Sequence, residues 1–120
     1  MSDIRELIER YLAIWNETDP AGRRAAIDEL WTEDGVYTDP LVVAAGRDAI
    51  DATIAGAQGQ FPGLTFRLAG DVDAHHDIAR FTWELGPADG EALAVGFDVA
   101  VLTDDHRVSR VLGFLDKVPG

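Results

Sequence analysis

The chain has 120 residues, 47% of them apolar, no cysteine, and a net charge of −12. That length suits one domain over residues 1–120 with a core large enough to need no covalent staples, and the missing cysteine removes disulfides, thiolate nucleophiles and Cys-based metal sites. So acidic a surface repels phosphate backbones and anionic lipid, and no Lys/Arg stripe offsets it, so neither nucleic acid nor a membrane is expected as a partner.

In chain order, Met1 precedes a polar, charged stretch rather than a basic-then-apolar leader, and apolar runs stay short. The expectation is a soluble, cytoplasmic protein. Asp3 with Glu6 predicts a capping box. Ile4, Leu7, Ile8, Tyr11, Leu12 and Trp15 then recur at helical spacing. Asp19 before Pro20 opens a second helix, whose apolar face is Ile27, Leu30 and Trp31. Thr32-Glu33-Asp34-Gly35 predicts a turn, and residues 36–39 a short strand stopped by Pro40. Gly46-Arg47-Asp48 opens a third helix to about residue 58. The remainder reads as strands at 64–68, 78–85, 92–102 and 107–115, with Pro87-Ala88-Asp89-Gly90 and Asp104-Asp105-His106 as turns. Helices followed by a run of antiparallel strands is the α+β pattern.

The strand at 92–102 alternates a small face (Ala94, Gly96, Asp98, Ala100) with an apolar one (Val95, Phe97, Val99, Val101). Neither face suits water, so the sheet is expected to be covered on both sides. The helices suffice for one side only. The other predicts a homodimer packed through Val95, Phe97 and Val99, while the small face leaves room for a cavity beside Asp98.

Asp39 precedes a proline that biases it toward an extended backbone; as a residue pattern it is either a turn starter or a site carboxylate. Asp98 lies mid-strand between Phe97 and Val99, where a carboxylate is costly unless paired or protonated. Its alternatives are a structural Asp satisfied by backbone groups or Arg80, or a carboxyl with a raised pKa able to donate a hydrogen bond. Tyr11 and Trp15 share one helical face, and a buried Tyr11 hydroxyl needs a partner such as a neutral Asp98. Trp31, Tyr37, Phe61, Trp83 and Phe114 are further candidates for a pocket lining, each also compatible with plain core. His75 and His76 are adjacent, so on a strand they point to opposite faces and cannot easily share an ion; no metal site and no cofactor is expected.

The whole chain resembles the SnoaL-like branch of the nuclear-transport-factor-2-like superfamily, which includes ketosteroid isomerases, polyketide cyclases and limonene epoxide hydrolases. The resemblance is carried by Glu9-Arg10-Tyr11-Leu12-Ala13, Val36-Tyr37-Thr38-Asp39-Pro40, Gly46-Arg47-Asp48-Ala49-Ile50, and Gly96-Phe97-Asp98 followed by residues 104–108. It implies a cone-shaped barrel of curved antiparallel sheet, with about three helices closing an internal pocket. Beside ketosteroid isomerase, Asp39 falls at the general base, Tyr11 at the tyrosine oxyanion donor and Asp98 at the protonated aspartic acid donor. The resemblance therefore implies isomerisation of a carbonyl compound or a polyketide-type aldol cyclisation. Trp15, Trp31 and Trp83 would narrow the pocket, favouring a ligand smaller than a steroid. Two alternatives stand beside it. One is a non-catalytic small-molecule binding module. The other is an epoxide hydrolase, in which Arg80 would bridge two aspartates; but Thr82 stands where that family has Asp, and Asp98 and Asp116 would have to substitute.

Overall fold

The computed structural model describes residues 2–118, with side chains from residue 4 onward. The Asp3 side chain of the expected capping box lies outside them. Helix α1 (Ser2–Asn16) buries Leu7, Ile8, Tyr11, Leu12 and Trp15 of the expected stripe, while Ile4 is only half-buried and Ile14, outside that stripe, is buried as well. Burying each such side chain stabilises by roughly 1.5–3 kcal/mol before entropy is counted. Helix α2 (Pro20–Leu30) starts as expected: the Asp19 carboxylate accepts the Gly22 backbone N–H at 2.8 Å and Pro20 stands at the first helical position. Its cap residue at the far end, Trp31, is already extended and begins strand β1 (Trp31–Thr38).

Here the expected turn at residues 32–35 is corrected. Those residues belong to β1, whose register jumps from Trp31 opposite Val108 to Val36 opposite Arg110. Four residues thus stand against one, an enlarged bulge, and Glu33 and Asp34 are polar because they are pushed into water. Gly35 makes the fold-back fit: a Cβ there would lie 2.5 Å from the Trp31 ring. After a short β2 (Val43–Ala45), which the sequence pattern did not reveal, comes α3 (Arg47–Gln60). Gly46 ahead of it has φ 90°, a conformation glycine adopts without strain.

The last four strands are β3 (Thr65–His75), β4 (Ile78–Gly86), β5 (Ala94–Leu102) and β6 (Val108–Lys117). β3 runs well beyond the expected residue 68, because its polar second half pairs with the start of β4 through Asp73–Arg80 and His75–Ile78. Spatial order is β2-β1-β6-β5-β4-β3. All neighbours are antiparallel except β1 and β6, which run parallel. The sheet is therefore mixed, not purely antiparallel, and it curves without closing, so the expected barrel is an open cone with β2 and β3 at its edges. The fold class is otherwise α+β with three helices on one side of the sheet. Residues of β5 alternate strictly between buried and half-buried. The small face is the buried one, so Ala94, Gly96, Asp98 and Ala100 look inward, towards the helices.

Candidate active site

A cavity of about 580 Å³ opens between the inner face of the sheet and helices α1 and α3, a size that suits a small organic ligand. Tyr11 and Trp15 reach it from α1, and Thr53, Gly56 and Ala57 from α3. The sheet contributes Tyr37, Trp83, Asp98 and Leu115, and Asp39 follows the end of β1. The lining among the described residues contains two carboxyl groups and no Lys, Arg or His. Exposed Leu41 and Val118 make its rim apolar.

Asp39 and Asp98 converge on Gly113, which stands opposite Asp98 on β6. A Cβ at residue 113 would lie 2.9 Å from Asp98 Oδ1 and 3.5 Å from the Asp39 Cβ. Glycine at this point is what allows the two acids to approach. Their surroundings differ. Asp39 is half-buried. Its Oδ1 accepts the backbone N–H groups of Leu41 (2.8 Å) and Val42 (3.0 Å), and its Oδ2 accepts the Tyr37 hydroxyl at 2.8 Å. These contacts close the turn after β1 and aim the carboxylate. They also show that the two readings of an Asp before Pro, turn former and site carboxylate, are compatible.

Asp98 is 2% exposed and has no cationic partner among the described residues. Its one hydrogen bond comes from the Trp83 indole N–H to Oδ1, at 3.1 Å. Burial pushes the Asp98 carboxyl up to about 7, and the nearby charge of Asp39 acts in the same direction; Trp83 and Tyr11 pull the other way. Burial also holds Tyr11 well above its usual phenol range, with Asp98's charge adding to the effect. Burial likewise raises Tyr37, followed by the charges of Asp98 and Asp39. Both phenols are thus neutral donors at any working pH. The Tyr11 hydroxyl is buried and makes no hydrogen bond of normal geometry, although it is near enough to Asp98 for each to bias the other's proton.

An aromatic wall links the two acids. Tyr37 packs on Trp15 (5.2 Å between centroids), Trp15 on Phe66 (5.4 Å) and Phe66 on Trp83 (5.3 Å). Its two ends carry the donors that engage Asp39 and Asp98. Of the expected lining residues, Trp15, Tyr37, Phe61 and Trp83 face the cavity together with Tyr11, Asp39 and Asp98. Trp31 and Phe114 are not among its lining residues. Trp31, 1% exposed, packs behind Tyr11 with its ring 6.2 Å away, because the bulge in β1 folds it into the core. Phe114 is 57% exposed and pairs with Phe97 on the outer sheet face, since Gly113 takes the inward place opposite Asp98. Arg80 also faces out, bound to Asp73 at 3.1 Å, so it neither neutralises Asp98 nor bridges two acids inside the cavity. His75 and His76 are exposed at the β3–β4 turn. Phe66 and the Trp83–Asp98 bond were missed from sequence; the available signal was Gly96, a mid-strand glycine of the kind that marks a close approach.

The SnoaL-like domain model matches residues 8–111. A solved structure of a candidate isomerase of the SnoaL-like family from Agrobacterium tumefaciens is 40% identical. It covers 97% of this chain and 99% of its own, with a TM-score of 0.91. A SnoaL-like protein of unknown function from Burkholderia thailandensis shares the fold at 17% identity (96% of each chain, TM-score 0.74). So does a candidate polyketide cyclase from Sinorhizobium meliloti at 15% identity (90% of this chain, 93% of that one, TM-score 0.70). No curated protein matches the chain in sequence.

Proposed function

The chain belongs to the SnoaL-like family, and from that premise we propose that it is an acid–base enzyme acting on an uncharged carbonyl compound, by isomerisation or aldol cyclisation. The observation that carries this reading is the pair of acids in one cavity with opposite surroundings: Asp39 aimed by three donors, Asp98 buried without a cation beside an unpartnered phenol. Asp39 removes a proton from the carbon next to the carbonyl, and the electron pair of the broken C–H bond moves onto the carbonyl oxygen as an enolate. Tyr11 and neutral Asp98 donate hydrogen bonds to that oxygen. One such donor is worth about 3 kcal/mol of barrier. The enolate then either takes the proton back from Asp39 at a different carbon, which moves the double bond, or attacks a second carbonyl and closes a ring, the alkoxide so formed taking the proton from Asp39. In both cases Asp39 is returned to its starting state. A lining without cationic side chains supports a ligand with no phosphate or carboxylate tail.

Asp39→Asn tests the reading. Turnover falls by about 10²–10⁴-fold, while a planar phenol, whose phenolate resembles the enolate, still binds. Full activity in both Asp39→Asn and Tyr11→Phe would contradict it.

A second copy of the chain is proposed to cover the outer sheet face. Val95, Phe97 and Val99 are half-buried there, and Phe114, directly opposite Phe97, is more than half exposed. The result is an apolar strip continuous across β5 and β6, of the kind that marks protein contacts.

A further inference from the structure

We propose that Trp83 is a positioning residue that fixes which oxygen of Asp98 carries the proton, and that Gly96 exists to let it do so. The inference rests on the reading of Asp98 as a neutral donor. An indole N–H can only donate, so Asp98 Oδ1, which receives it at 3.1 Å, must present a lone pair. In a carboxylic acid the carbonyl oxygen is the better acceptor. Trp83 therefore favours the tautomer with Oδ1 as carbonyl and the proton on Oδ2, which makes no hydrogen bond of normal geometry to the described residues, the Tyr11 hydroxyl being the donor near the carboxyl. Without that bias the proton would divide between the two oxygens, and part of the molecules would present an acceptor where the enolate needs a donor.

The neighbouring strand is built around this contact. Trp83 and Gly96 are direct cross-strand partners. A Cβ on Gly96 would lie 2.0 Å from Trp83 Cζ2 and 2.7 Å from its Nε1, so no other residue fits while the indole keeps its place. Phe66 closes the ring from the side, edge-on at 5.3 Å. The same N–H also favours the ionised form of Asp98 relative to burial alone, so Trp83 tempers the carboxyl as well as orienting it.

The test begins on the unmodified protein. The three Trp indole N–H signals are followed by NMR against pH alongside the Asp98 carboxyl carbon. The Trp83 N–H moves with the same midpoint as Asp98, because its acceptor changes charge, whereas Trp31, whose Nε1 is buried without a partner, stays flat. Trp83→Phe, which keeps a ring and removes the donor, shifts the Asp98 midpoint upward by about one unit. Gly96→Ala, which displaces the indole by adding an atom, shifts it in the same direction. A Trp83 signal that is flat where Asp98 titrates, or an unmoved Asp98 midpoint in a folded Trp83→Phe, overturns the positioning role and leaves the donor reading of Asp98 intact. An Asp98 that titrates as an ordinary carboxyl in the unmodified protein overturns both.

Discussion

Two side chains that carry a charge when free in neutral water are buried among the described residues, Arg23 at 6% and Asp98 at 2% exposure, and the fold treats them in opposite ways. Arg23 is met by partners on two of its three nitrogens. Its Nε donates to Asp51 at 2.6 Å, and its Nη1 donates to Gln58 at 3.0 Å and to the Glu17 carbonyl at 3.4 Å. Gln58 in turn donates to the carbonyls of Trp15 and Glu17. The cluster ties α2 and α3 to the end of α1, and so holds the helical wall of the cavity against the sheet. Asp98 receives one indole N–H and no countercharge. A buried charge that is met by partners becomes a strut, while one left unmet is neutralised instead and becomes a proton donor. Burial alone therefore does not separate the two groups; the countercharge does.

Breaking the strut gives the largest expected loss. Arg23→Met leaves the partly exposed Asp51 carboxylate and the Gln58 amide without their partner, and unfolding free energy drops by about 1–3 kcal/mol, read from denaturant melts. Turnover per folded molecule falls far less than in the Asp39 and Asp98 variants, since neither residue itself lines the cavity. Asp98→Asn sharpens the contrast by acting in the other direction. At pH 8 the variant is more stable than the parent by up to about 4 kcal/mol, while turnover falls by about 10²-fold. The gap depends on pH. Below the ordinary carboxyl range Asp98 is neutral both folded and unfolded. As pH rises, the unfolded chain ionises there first, so the parent loses stability until the folded group titrates near 7, and the gap is constant above that. Turnover of the parent declines through the same upper limit, as the donor is lost.

Tyr11→Phe lowers turnover by about 10²-fold but raises stability slightly, by about 1 kcal/mol, because it deletes a buried hydroxyl that has no partner. Tyr11→Phe with both activity and stability unchanged would place that hydroxyl outside the chemistry. The smallest effect on the site is expected from the outer face. Phe97→Glu converts a dimer to monomers or aggregates on a sizing column, whereas an unchanged elution volume argues against the second copy.

Much of this was legible because it is local. The α1 stripe, the Asp19–Pro20 cap and the hairpins of the last strands depend on neighbours in sequence. Asp98 stood out because an Asp among Phe and Val breaks the strand pattern. What could not be read is set by distant partners. The parallel pairing of β1 with β6 has no local signature, and the bulge at residues 32–35 carries the same polar composition as a turn. The strand parity of β6 places Gly113 inward and Phe114 outward, which aromatic character alone could not reveal. Tyr37 and Trp83 were readable as lining residues, but not as the separate donors to Asp39 and Asp98.

A division of work between the two aspartates, one as base and one as neutral donor, requires Asp98 to hold its proton near neutral pH. Carboxyl ¹³C titration of the unmodified protein tests it most directly, with Asp98 assigned by the signal missing from Asp98→Asn. The expected midpoint for Asp98 is near 7; one near 4, the ordinary carboxyl value, rules out the neutral donor.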